Sequence, residues 1–83
     1  MTEPVKVYAL STCIYCRNTK AWLDQHDVNY ECIEVDLIDQ QARFSVLKEI
    51  KTRSSVVSFP TIVVGDQVIQ GYHPEQLKKV LGL

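Results

Sequence analysis

The sequence predicts an α/β fold in which one four-stranded mixed sheet is flanked by three helices, in the order β-α-β-α-β-β-α. Three observations carry this. Short β-branched runs alternate apolar and polar residues at period two, and longer stretches between them repeat at helical spacing. Late in the chain, a Gly65-Asp66 pair separates two apolar runs, which is how a tight hairpin reads. The 83 residues make a single domain, since one core organises on the order of 100 to 150 residues before a second is needed.

Each element follows in turn. Pro4 closes a short tail, and Val5 to Leu10 (VKVYAL) alternates with β-branched and aromatic residues as a first strand. Ser11 or Thr12 stands where a helix cap belongs. In IYCRNTKAWLDQH, from Ile14 to His26, Thr19, Trp22, Leu23 and His26 share one helical face, opposite Arg17, Lys20 and Asp24. Val28 to Leu37 (VNYECIEVDL) sets Ile33 and Val35 against Glu34 and Asp36 as a second strand. Asp39 suits an N-cap, and Gln40 to Lys51 places Phe44, Leu47 and Ile50 on one stripe, with Val46 nearby. TRSSVVS is polar and ambiguous. Thr61 to Ile69 (TIVVGDQVI) supplies strands three and four, Gly71 breaks the chain, and Pro74 opens a short helix that turns Leu77, Val80 and Leu81 inward. The helical crossover makes the first two strands parallel and right-handed, while the last two pair antiparallel.

Composition excludes several classes of function. A hydrophobic content of 46% and a charged content of 23% lie in the globular range, so wholesale disorder is not expected. Nine basic and ten acidic residues leave a net charge of -1, without the basic patch that nucleic acid requires. MTEPVKVYAL lacks the pattern of a signal peptide, and nothing reaches the roughly 18 apolar residues of a membrane span. The expectation is a soluble, cytoplasmic monomer that binds neither nucleic acid nor membrane. Three cysteines are odd in number and too few for a disulfide scaffold.

Cys13 and Cys16 are therefore to be explained locally. They stand at a strand-to-helix junction, and i,i+3 side chains on a helix lie about 5 to 6 Å apart, within reach of a disulfide. The loop so closed is tiny, so its leverage on stability is small compared with a long-range bridge. A metal clip needs two further ligands. Cys32, His26 and His73 are the candidates, and none repeats a ligand spacing. A reactive dithiol fits the position best. The unpaired N–H groups and positive dipole at a helix start favour a thiolate, and such surroundings bring a cysteine from about 8.5 into the range of roughly 3.5 to 7.5. Cys13 is the better placed for this role, with Cys16 one turn inward as the resolving thiol.

Cys13-Ile14-Tyr15-Cys16, between a strand and a helix, resembles the glutaredoxin dithiol, usually Cys-Pro-Tyr-Cys. Lys20 with Trp22-Leu23 is similar to the Ala-Lys-x-Leu-Leu stretch that follows it in glutaredoxins. SFPTI resembles the family's second marker, a proline before the third strand. The resemblance implies a thioredoxin-like fold, a cis Phe59-Pro60 bond facing the dithiol, and exposed main-chain groups of Phe59 that hold an extended thiol substrate. It covers Val5 to Leu81.

Departures from the pattern bear on the reductant. Glutaredoxins usually carry a glutathione-binding lysine three positions before the first cysteine, where this chain has Leu10. They also follow the fourth strand with a glycine pair and acidic residues, where this chain reads Gln70-Gly71-Tyr72-His73-Pro74-Glu75. GYHPE instead looks like the Gly-Phe-x-Pro-Asp segment of the NrdH redoxins, donors to ribonucleotide reductase that thioredoxin reductase recharges. Gly71 suits a close backbone approach in either case. Ile14 replaces the proline between the cysteines, which restores an N–H and shifts the redox poise.

Other residues are read more plainly. Tyr15 and, less directly, Tyr72 are expected to pack on substrate. Cys32 reads as a small buried hydrophobe, His73 as a loop or capping residue, His26 as a favourable cation at a helix end, and Trp22 as core. Lys6 and Lys20 read as a solvated face. The expected activity is disulfide reduction in a protein substrate by Cys13 and Cys16, with Tyr15, Phe59, Pro60, Gly71 and Tyr72 binding substrate. No cofactor is bound, and the electrons come from glutathione or a flavin-dependent thioredoxin reductase. The alternative is an iron-sulfur or zinc-binding module that uses the same pair.

Overall fold

In the computed structural model, which describes residues 4–83, seven elements follow one another: β1 (Val5–Ala9), α1 (Ile14–Gln25), β2 (Glu31–Glu34), α2 (Gln40–Arg53), β3 (Thr61–Val64), β4 (Gln67–Gln70) and α3 (Pro74–Leu81). The expected tail before Pro4 lies outside the described residues. The strands form one mixed sheet in the order β2-β1-β3-β4. β1 runs parallel to β2, with Tyr8 opposite Ile33, and antiparallel to β3, with Tyr8 opposite Thr61. β3 and β4 form the expected hairpin, with Thr61 opposite Gln70.

Burial follows from this order. The central strands β1 and β3 are covered on both faces, so Ile62 to Val64 is a continuous apolar run and, with Thr61, every residue of β3 is buried. Alternate side chains divide between two cores, as the pleat requires. Val5, Val7, Ala9, Ile62, Val64 and Ile69 meet Cys16 and Leu23 of α1 and Leu77 of α3. On the other face Tyr8, Val35 and Val63 meet Ile50 of α2. Within that second core, the Tyr8 hydroxyl donates to Glu49 Oε2 at 3.0 Å.

The structure corrects several boundaries. β2 is four residues long rather than the ten from Val28 to Leu37. The Val28 N–H is spent on the Leu23 carbonyl at the exit of α1, and after the bond from the Val35 N–H to the Ala9 carbonyl the chain turns, with Leu37 N–H donating to Glu34. The inward stripe of α2 is also rotated by one position. Arg43, Val46, Leu47 and Ile50 face the body of the protein, and Phe44 is 70% exposed. The cause is Arg43, whose Nε–H donates to the Val35 carbonyl at 3.0 Å and turns its own side of the helix inward. Asp39 caps α2 as expected, its Oδ1 accepting the Ala42 N–H at 2.8 Å. Trp22 is only half-buried, and its ring stacks on exposed His26 at a centroid distance of 4.0 Å. Among the described residues, no helix is long and apolar enough to cross a membrane.

Candidate functional site

One end of the sheet gathers the chain segments singled out above. β1 ends at Ala9, and a turn closed by the Cys13 N–H on the Leu10 carbonyl, at 3.2 Å, delivers the chain to α1. Thr61 pairs with Tyr8, so Pro60 stands at this same end, immediately before the β3 ladder. Gln70 pairs with Thr61, and the next residue, Gly71, donates its N–H to the Pro60 carbonyl at 2.8 Å. The dithiol, Phe59-Pro60 and Gly71-Tyr72 therefore share one end of the sheet, although they are far apart in sequence.

The helix cap is Cys13 itself. Its backbone is extended (φ -87°, ψ 122°), and its Sγ accepts the Cys16 N–H at 3.3 Å. Neither expected cap does this work: Thr12 is exposed, and Ser11 bonds to Asp36. Cys13 is half-buried, whereas Cys16 is fully buried with its Sγ accepting the Leu10 N–H at 3.5 Å. All three cysteines are free thiols.

This geometry separates the two acidities. Burial works upward on Cys13, but it is outweighed by a hydrogen bond from the Cys16 thiol and by the N–H groups of Cys16 and Tyr15, so its pKa lies below the ordinary value. Burial comes first for Cys16 and pushes its thiol up, reinforced by the hydrogen bond to Cys13. One sulfur is half-buried with its thiolate favoured; the other is fully buried with its thiol favoured.

Around the pair, Ile14 and Tyr15 are 63% and 60% exposed. The Phe59-Pro60 bond is cis; Pro60 is buried, and Phe59 lies against both cores. Gly71 has φ +90°, a conformation that favours glycine, and a Cβ there would meet His73 Nε2 at 3.1 Å. Tyr72 is half-buried and His73 exposed, at the start of α3. Leu10 packs beside the Tyr8 core rather than reaching outward. Lys20 is paired with Glu34 at 3.1 Å, a bond that raises its pKa, and Lys6 lines a surface hollow with Glu49, Arg53 and Gly65 at the other end of the sheet. Neither is a free cation for Cys13. Cys32 is half-buried against the α1 core, and burial raises its thiol, in keeping with a small hydrophobe.

Among the described residues, no group of three or more His, Cys, Asp or Glu side chains converges to hold a metal ion. The zinc reading gains no third ligand among the described residues. Sequence reasoning missed the contacts of Asp36 and Arg43 near the dithiol, because a Ser-Asp contact across 25 residues leaves no local pattern.

A thiolate-prone cysteine capping a helix, a buried partner one turn on, and a cis-proline at the same sheet end define a dithiol protein of the thioredoxin-like fold. Residues 5–69 match the glutaredoxin family model, and the chain belongs to the glutaredoxin family. It is similar to the crystal structure of methanoredoxin from Methanosarcina acetivorans, with a TM-score of 0.94 and 31% identity, covering 99% of this chain and 87% of that one. The glutaredoxin grx-1 from Archaeoglobus fulgidus gives a TM-score of 0.87 and 35% identity, over 96% of this chain and 86% of that one. Among curated relatives, the glutaredoxin-like protein NrdH of Lactococcus lactis is 28% identical over 76 residues, 92% of this chain and 97% of that protein. Family membership supports thiol-disulfide oxidoreductase chemistry.

Proposed function

We propose that this chain reduces disulfide bonds in proteins, with Cys13 as the attacking thiol and Cys16 as the resolving one. The observation that carries the reading is the split in the pair: Cys13 accepts the Cys16 N–H at the helix start with a lowered pKa, above a buried Cys16 whose pKa is raised.

The reaction runs in two exchanges. Cys13 thiolate attacks one sulfur of the substrate disulfide, a Cys13-substrate disulfide forms, and the other substrate sulfur leaves as a thiolate that takes up a proton. Cys16 then loses its proton and attacks the Cys13 sulfur, closing a Cys13-Cys16 disulfide and releasing the second substrate thiol. The substrate gains two electrons and two protons. Once Cys13 is in the mixed disulfide it no longer bears charge, so two of the influences that hold Cys16 protonated disappear, while the Leu10 N–H and Lys20 continue to favour its thiolate. Cys16 is thus activated when it is needed. The main chain of Phe59, just outside the β3 ladder, receives an extended substrate segment beside Pro60, with Tyr15, Gly71 and Tyr72 around it.

The protein acts as a monomeric single domain in the cytoplasm without a bound cofactor, and a flavin-dependent thioredoxin reductase rather than glutathione recharges it. Leu10 supports this, since it offers no charge to a carboxylate and turns to the core, as do GYHPE and the similarity to a protein called NrdH. Ribonucleotide reductase is then a candidate substrate.

Turnover driven by NADPH tests the assignment. Disulfide reduction should be faster with thioredoxin reductase than with glutathione and its reductase; the reverse ratio removes the reductant assignment, and activity with neither removes the function. Cys13→Ser should abolish reduction, and Cys16→Ser should accumulate mixed disulfide visible by mass spectrometry. Equal trapping by both variants would contradict the division of roles.

A further inference from the structure

The contacts between the exit of β2 and the turn before the dithiol assign a further residue to the site. We propose that Asp36 is a positioning residue: its carboxylate fixes the Leu10–Cys13 turn and so holds the Cys13 thiol in the helix-cap geometry. The proposal rests on the reading of Cys13 as the attacking thiol.

Asp36 Oδ1 accepts the Ser11 backbone N–H at 2.9 Å, and Oδ2 accepts the Ser11 hydroxyl. Two bonds to one residue fix orientation as well as distance. Ser11 is the second residue of the turn closed by the Cys13 N–H on Leu10, so what holds Ser11 sets where the next residues, Thr12 and Cys13, can lie. Asp36 is itself anchored from two sides. Arg43 of α2 donates to the Val35 carbonyl at 3.0 Å, and its Nη2 reaches the Ile38 and Asp36 carbonyls at 3.3 and 3.4 Å. The Val35 N–H reaches the Ala9 carbonyl at 2.8 Å, tying the same exit to the end of β1. A continuous path of hydrogen bonds thus runs from α2 through the β2 exit and Ser11 to the turn that ends at Cys13. The hydrogen bonds from Ser11 hold the Asp36 carboxyl below the usual carboxylate range, so it stays an acceptor at neutral pH and is not a proton donor to substrate.

The sign of the effect separates positioning from charge. A bare carboxylate near a thiol disfavours the thiolate, so removing it by that route alone lowers the thiol pKa. A clamp acts the other way. Without it the turn loosens, the Cys16 N–H spends less time on Cys13 Sγ, and the pKa of Cys13 rises.

The test is the pH profile of iodoacetamide labelling at Cys13, read by mass spectrometry on the full chain for wild type, Asp36→Ala, Asp36→Asn and Ser11→Ala, with circular dichroism as the check of folding. Asp36→Ala should raise the midpoint by about half a unit, which lowers the labelling rate roughly threefold at pH values well below the wild-type midpoint. Ser11→Ala, which leaves the carboxylate charge in place, should shift the midpoint in the same direction by less. Asp36→Asn, with one acceptor oxygen left, should fall between wild type and alanine. An unchanged or lowered midpoint in a folded Asp36→Ala overturns the proposal. If that variant does not fold, an unchanged midpoint in Ser11→Ala overturns it instead. An ordinary midpoint in the wild type itself overturns the reading of Cys13 and the positioning role with it, so the two failures are told apart before any variant is compared.

Discussion

Cys13 takes its character from the three N–H and S–H donors aimed at its sulfur, and each comes from residues within one helical turn. The thiolate alone is alkylated, so labelling below the midpoint falls about tenfold per pH unit. With a lowered pKa, Cys13 stays ionised, and reactive, as the pH drops below the ordinary cysteine value of about 8.5. Site-resolved iodoacetamide labelling should therefore place its midpoint clearly below that value, while Cys16 stays unlabelled across the same range. A Cys13 midpoint at or above 8.5, as a marker of an ordinary thiol, would remove helix-start activation. The spacing of the pair and its place before a helix made this asymmetry legible in the sequence. The identity of the cap was not legible, because serine and threonine are the usual caps and Ser11 and Thr12 both stood in range. The turn ends one residue later, and Ser11 is spent on Asp36.

At the scale of elements, α2 shows how one polar side chain redirects a helix. Its apolar residues alone place Phe44 on the buried stripe, but the bonds of Arg43 to the β2 exit turn the helix so that Phe44 faces outward. Truncation separates the two arrangements. Ile50→Ala should cost about 2 to 5 kcal/mol, since Ile50 is fully enclosed, whereas Phe44→Ala should stay within roughly 0.5 kcal/mol. Urea unfolding midpoints of the two variants check this, and equal losses would restore the stripe read from the sequence. α1 was clearer, because its first turn carries the pair and its buried residues Cys16, Thr19 and Leu23 keep helical spacing. Trp22 joins the core only in part: it packs against the cluster beneath α1 while half-buried, because a large ring at the edge of that stripe also stacks on exposed His26.

Across the whole molecule, closing the core and setting the dithiol are separable even on one face of the sheet. α3 docks through Leu77, which is fully buried in the core shared with α1, yet no hydrogen bond to Cys13 comes from α3. Leu77→Ala should therefore lower stability by about 2 to 5 kcal/mol in urea unfolding while leaving the Cys13 labelling profile unchanged in the folded protein. A shifted profile would mean that α3 sets the geometry of the dithiol. The order of elements, the hairpin at Gly65-Asp66, the cap at Asp39, the helix start at Pro74 and the placing of Cys13 and Cys16 at a helix start were all determined by local sequence, because period, turn chemistry and capping act over a few residues. The tertiary structure decided what joins distant segments: the sheet order that puts Pro60 and Gly71 at the end occupied by the dithiol, and the bond from Asp36 to Ser11. These depend on strand register and on groups brought together by packing, and a sequence pattern carries neither.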